Sequence, residues 1–157
     1  LYIMFMVNKS KPHEVFELRT VIEVETAALA AKLITEEELH ELKQILDMMK
    51  NCEDENKKSK LDKEFHYNIA KASRNFLIVT ILNTISTLID SLIKDARFQI
   101  LKNDGEKNII DYIDYNHERI YNALVKGNSQ EAANIMRMHM ELINENFIKL
   151  TQENSQE

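Results

Sequence analysis

Apolar residues recur along nearly the whole chain at the spacing of one face of an α-helix. Ser10 and then Pro12 open the first run, because proline suits a first helical turn, where no amide donor is needed. Val15, Leu18, Ile22, Ala28 and Leu29 supply its apolar stripe. "TEEE" at 35–38 reads as a capping box, with Thr35 as N-cap and Glu38 reaching back. It starts a second helix through Leu39, Leu42, Ile45, Leu46 and Met49. The polar stretch "NCEDENKKSK", 51–60, reads as a solvated loop, with a third helix from about 59 to 72. After a break at "SRN", one long apolar helix runs from Leu77 through Ile93, ending near "KNDG" with Gly105 as its stop. A fifth helix carries Ile109, Ile113, His117, Ile120 and Leu124. Gly127 is its expected C-cap, with Asn128 or Ser129 the next N-cap. A sixth carries Ala132, Ile135, Met136, His139, Leu142 and Ile143. No run reads convincingly as a strand, so the expectation is an all-α, antiparallel bundle of about six helices.

Composition supports that picture. Two glycines and one proline are too few for the many tight turns of a sheet protein. A 44% hydrophobic and 29% charged composition is that of a globular chain with a core. The net charge of −6 argues against a domain that grips a DNA backbone by itself. Cys52, the single cysteine, excludes an internal disulfide and fits a reducing cytoplasm. "LYIMFMV" at 1–7 is too short to span a bilayer, and no membrane association is expected. Residues 1–12 are expected to be a linker or the remnant of a missing upstream domain, 13–150 the helical domain, and 151–157 a polar tail.

The histidines carry the candidate chemistry. His13 and His40 sit on polar stretches and read as surface residues. His117 and His139 lie on core-facing stripes, and His66 lies at the edge of one, with Asp62 one turn before it. Singly, each has an ordinary explanation: a hydrogen-bonded core histidine, or a local i, i+4 ion pair. Jointly, three imidazoles and a carboxylate turned inward on three helices cost free energy unless they are paired. A divalent cation would satisfy all four, and this donor set suits Zn, Ni, Mn or Fe.

Three segments, "FELRTVIEVETAALAA" (16–31), "DKEFHYNIAKASRN" (62–75) and "NHERIYNALVKGNSQEAANIMRMHM" (116–140), together resemble the FadR C-terminal domain, FCD. That is the effector-binding domain of many GntR-family transcription regulators. The resemblance covers about 13–150, and its most specific parts are the D-x-x-F-H run with "ASRN" and the paired-histidine run that ends the third segment. It implies that Asp62, His66, His117 and His139 bind one divalent metal, with Zn, Ni or Mn the leading candidates. It also implies a small organic acid or sugar acid bound beside the metal, homodimerisation, and control of a winged helix-turn-helix domain that would contact DNA.

Arg19 matches an arginine the family often turns towards the ligand, and a guanidinium suits a carboxylate. Its alternative is a surface ion pair with Glu23. Asn75 could contact the ligand or cap the following helix, and Arg97 is a further effector-binding candidate. No catalytic residue is assigned. A metalloenzyme is the competing function, but there is no H-E-x-x-H, and only "EELH" at 37–40 resembles half of a di-iron pattern. A structural module stapled by its metal is the third possibility.

Overall fold

The computed structural model describes residues 11–102 and 107–153. Seven helices make up the architecture of these residues: α1 (Pro12–Leu33), α2 (Glu36–Lys50), α3 (Glu55–Ala72), α4 (Phe76–Thr84), α5 (Ser86–Lys102), α6 (Lys107–Val125) and α7 (Ser129–Glu153). Ser10, Gly105 and residues 1–7 lie outside the described residues, as do the last four residues of the expected tail. The first three residues of that tail, Thr151 to Glu153, are the end of α7.

Local chemistry sets most of the boundaries. Thr35 accepts from the Glu38 amide at 3.2 Å, and Glu38 accepts from the Thr35 amide at 3.0 Å, so the predicted capping box forms. Gly127 has φ +64° and ends α6 in a Schellman pattern, with Asn128 N–H donating to the Ala123 carbonyl and Gly127 N–H to Leu124. Asn128 then caps α7 through the Glu131 amide. Arg74 breaks the chain after α3 by taking φ 59°, a left-handed conformation that a side chain other than glycine's seldom adopts.

Two expectations fail. The stretch 55–60 is not a loop: Asp54 caps α3 by accepting from the Asn56 and Lys57 amides, so the helix starts a turn earlier than expected. The long fourth helix is two helices, whose axes turn by 67° across the break at Ile85. The sequence there, "NTIST", is rich in side chains that compete for backbone bonds, and Thr80 and Thr84 donate to the carbonyls four residues back.

α1 packs along α7 and against α3; α7 also packs on α6, and α2 lies against α3 and α6. α5 closes the bundle against α3, α6 and α7, whereas α4 rests on α3 and α5. Leu82 is the one buried side chain of α4, and Phe76 and Leu77 are 84% and 67% exposed. No single helix among the described residues is long and apolar enough to cross a membrane.

Candidate metal centre

The centre is built by the inward stripes of four helices. On α1 that stripe is Phe16, Arg19, Glu23, Thr26, Ala27 and Ala30, all buried. It is offset from the apolar positions expected, for Leu18 is exposed and the charged pair takes the core-facing place. On α3, Asp62 and His66 share a buried face with Ser59 and Ile69. His117 on α6 lies between Ile113 and Ile120, and His139 on α7 between Met136 and Ile143, both fully buried. His13 and His40 are exposed, as expected.

The three buried imidazoles converge. His66 Nε2 and His139 Nε2 are 3.2 Å apart, with their rings stacked at 5.1 Å. The His117 ring sits edgewise, 4.5 Å from His139 and 5.4 Å from His66. Phe65 meets His117 edge-on at 5.2 Å and forms an apolar wall. One donor atom from each histidine lies within 4.8 Å of the others.

A carboxylate stands on each side of His66. Glu23 Oε2 lies 2.5 Å from His66 Nδ1, and Arg19 Nε donates to Glu23 Oε1 at 2.6 Å. Burial alone would raise the Glu23 pKa, but Arg19 and His66 outweigh it and hold the carboxyl far below the usual range. In the neutral ring a hydrogen on Nδ1 leaves the Nε2 lone pair facing the other two histidines. Asp62 lies on the other side, with Oδ1 3.7 Å from His66 Nε2 and Oδ2 3.6 Å from His117 Nε2. Behind it, Arg97 Nη1 is 3.7 Å from Asp62 and 3.0 Å from Asp114, while Arg97 Nε donates to Glu55 at 2.8 Å. Burial opposes the Arg97 charge, but Asp114 and Asp62 outweigh it and keep the guanidinium protonated.

This geometry fits a divalent ion. Burial, reinforced by the neighbouring imidazole of His66, pushes the His117 pKa down to about 3. Burial and the other two histidines push His139 well below its ordinary value. Neutral imidazole is the form that ligates metal. Two nitrogens bound to one ion at about 2.0–2.1 Å lie roughly 2.9–3.4 Å apart, and the His66–His139 separation of 3.2 Å falls in that range. Neither ring nitrogen of His117 has a hydrogen-bond partner among the described residues, and a cation bound to one of them would satisfy it. The buried histidine triad could therefore hold a metal ion; Asp62 lies outside that set, 3.6–3.7 Å from two of its imidazoles.

A cavity of about 260 Å³ opens beside His66. Arg19, Glu23 and His66 line one part of it, Lys63 and Tyr67 of α3 another, and Leu82, Asn83 and Ile89 the α4–α5 side. Arg19 thus pairs with Glu23, but at 1% exposure it is no surface residue, and it lines the cavity. Asn75 is exposed and caps α4 by accepting from the Ile78 amide, and it is not among the cavity-lining residues. Arg97 is buried behind Asp62, also outside the cavity lining. Sequence reasoning missed Glu23, Tyr67 and Asn83. For Glu23 the signal was present, because it falls at i+4 from Arg19 on the stripe that continues to Ala27 and Ala30.

Comparison with known proteins adds to the geometry. The FCD domain profile matches residues 14–142. The chain is 31% identical over 136 residues to the HTH-type transcriptional regulator LutR of Bacillus subtilis (strain 168), covering 86% of this chain and 61% of that protein. It is 25% identical over 150 residues to the Glc operon transcriptional activator of Escherichia coli (strain K12), covering 92% of this chain and 58% of that one. The solved structure of Streptococcus agalactiae GntR matches with a TM-score of 0.67 and 25% identity, over 85% of this chain and 58% of that chain. The chain spans about three fifths of the length of each of these relatives.

Proposed function

From the premise that the chain belongs to the FCD domain family of GntR-type transcription regulators, we propose that it senses a small organic acid or sugar acid bound next to a divalent metal ion. His66, His117, His139 and Asp62 would hold the ion, with Zn, Ni or Mn suited to such nitrogen and oxygen donors. When bound, the metal supplies an electrophilic position for a carboxylate oxygen. Glu23 fixes the His66 ring from behind, as outer carboxylates commonly do for metal-bound histidines. Arg19 donates its Nε to Glu23 and lines the cavity, where a guanidinium suits an anion.

The observation that carries this reading is the cavity beside His66. A metal that only stapled the helices would need no space at its side. At about 260 Å³ the cavity falls below the usual range for drug-sized ligands, so it suits an acid of a few carbons. Acid binding would shift the equilibrium between two arrangements of the domain, in proportion to its differential affinity for them. In a cytoplasmic homodimer that shift would control DNA binding by a winged helix-turn-helix domain lying outside this sequence. The role is regulatory and not catalytic.

A thermal-shift screen of small carboxylic acids, with Zn²⁺ and after chelation, tests the proposal. The expected result is stabilisation by a subset of acids that disappears when the metal is removed. Stabilisation by metal with no response to any acid would support the staple instead.

A further inference from the structure

Outside the cavity, between α3 and α5, lies an open groove of about 790 Å³. The groove and the cavity share two lining residues, Lys63 and Tyr67. These two side chains therefore stand at the boundary between solvent and the space beside His66. Each is tied across that boundary. Lys63 Nζ lies 2.7 and 2.8 Å from the two carboxylate oxygens of Asp90 on α5. Tyr67 Oη accepts from Asn83 Nδ2 of α4 at 3.1 Å. Lys60 and Lys94 also line the groove and bias it towards anions, partly offset by Glu64.

We propose that Lys63 captures the incoming acid by exchanging its bond to Asp90 for one to the ligand carboxylate, and that this exchange loosens the first turns of α5, around Asp90, against α3. The proposal rests on the effector reading above. Asp90 occupies Lys63 with the same chemical group that the ligand would bring. An ammonium is a compact charge with three rotatable donors, so it can change partners without a fixed geometry. The pair is partly exposed, at 34% and 43%, and pairs of that kind contribute little to stability, so the trade is easy. The segment leading into Asp90 is lightly anchored, since α4 buries only Leu82, whereas the body of α5 stays fixed by Leu92, Ile93, Ala96 and Arg97. Occupancy at the cavity would then be read as a movement of α4 and the start of α5.

The test uses the zinc-loaded chain, acetate and succinate as probes, and the variants Asp90→Asn and Lys63→Met. Asp90→Asn should bind acid several-fold tighter, and Lys63→Met about tenfold weaker, the size of one lost charge-assisted bond. Zinc affinity should be unchanged in both. In hydrogen exchange without any acid, Asp90→Asn should show faster exchange in the first turns of α5 than the parent chain. Equal acid affinities in all three proteins would overturn the capture step. Unaltered protection of those turns in Asp90→Asn would overturn the loosening, whether or not either acid binds. Absence of acid binding in all three, with zinc bound and α5 exchange accelerated, would count against the effector reading while leaving the latch standing.

Discussion

Glu23 and Asp62 flank the same imidazole, and the protein holds them in opposite ways. Glu23, on the α1 side, is clamped between Arg19 and His66 Nδ1 by contacts of 2.6 and 2.5 Å. Asp62, on the α5–α6 side, has its two oxygens 3.6–3.7 Å from His66, His117 and Arg97, too far for a good hydrogen bond to any of them. A clamped carboxylate orients a ligand; a loosely held one can still become a ligand. The α1 side therefore holds the His66 ring in place, whereas on the α5–α6 side Asp62 keeps both oxygens without a close partner.

The comparison can be broken most strongly at Glu23. Glu23→Gln leaves buried Arg19 without its counter-ion and should cost about 3–5 kcal/mol of stability even in the metal-free protein. Urea unfolding after chelation measures this, and an unchanged midpoint would mean that the clamp is not structural. Asp62→Asn should behave differently. Metal affinity should fall by at least roughly tenfold to a hundredfold, as is typical even for groups that only support a ligand. Metal-free stability should change far less than in Glu23→Gln, because Arg97 keeps Asp114 and Glu55 and no buried charge is left unpaired. Calorimetric zinc titration and unfolding of the same preparation separate the two effects.

The smallest effect belongs to an exposed counterpart of the Glu23–Arg19 pair. The hydrogen bond from Arg74, with help from the Thr35 amide, lowers the Glu38 pKa from 4.5 to about 2. A folded-state pKa below the unfolded one gives stabilisation that is present above pH 4.5 and lost as the pH falls through about 2. Both partners reach solvent, so the contribution is small. Unfolding midpoints of the parent chain and Glu38→Gln should differ slightly at pH 6 and coincide near pH 2.

The same contrast explains what could be read from the sequence. His117 and His139 were legible because a histidine on an Ile-rich stripe stands out at helical spacing. The capping box at Thr35 and the stop at Gly127 were legible for local reasons, since each depends on a few adjacent residues. Glu23 was legible only as the i, i+4 partner of Arg19: α1 is covered on several sides and its apolar residues do not single out one face, so the pair looks like any solvated one. The stretch 55–60 misled in the same manner. Glu55 and Lys58 read as loop charges, yet they reach Arg97 and Asp114 across the bundle, contacts that no local pattern encodes. The break at Ile85 depended on threonine back-bonding outweighing a strong apolar period.

X-ray absorption at the zinc edge, on chelated chain reloaded with one equivalent of Zn²⁺, tests the metal centre most directly. The account predicts three imidazole nitrogens at about 2.0–2.1 Å with one or more oxygens, and loss of that signature in the His139→Ala variant. A spectrum with one imidazole or none, or one that His139→Ala leaves unchanged, would contradict it.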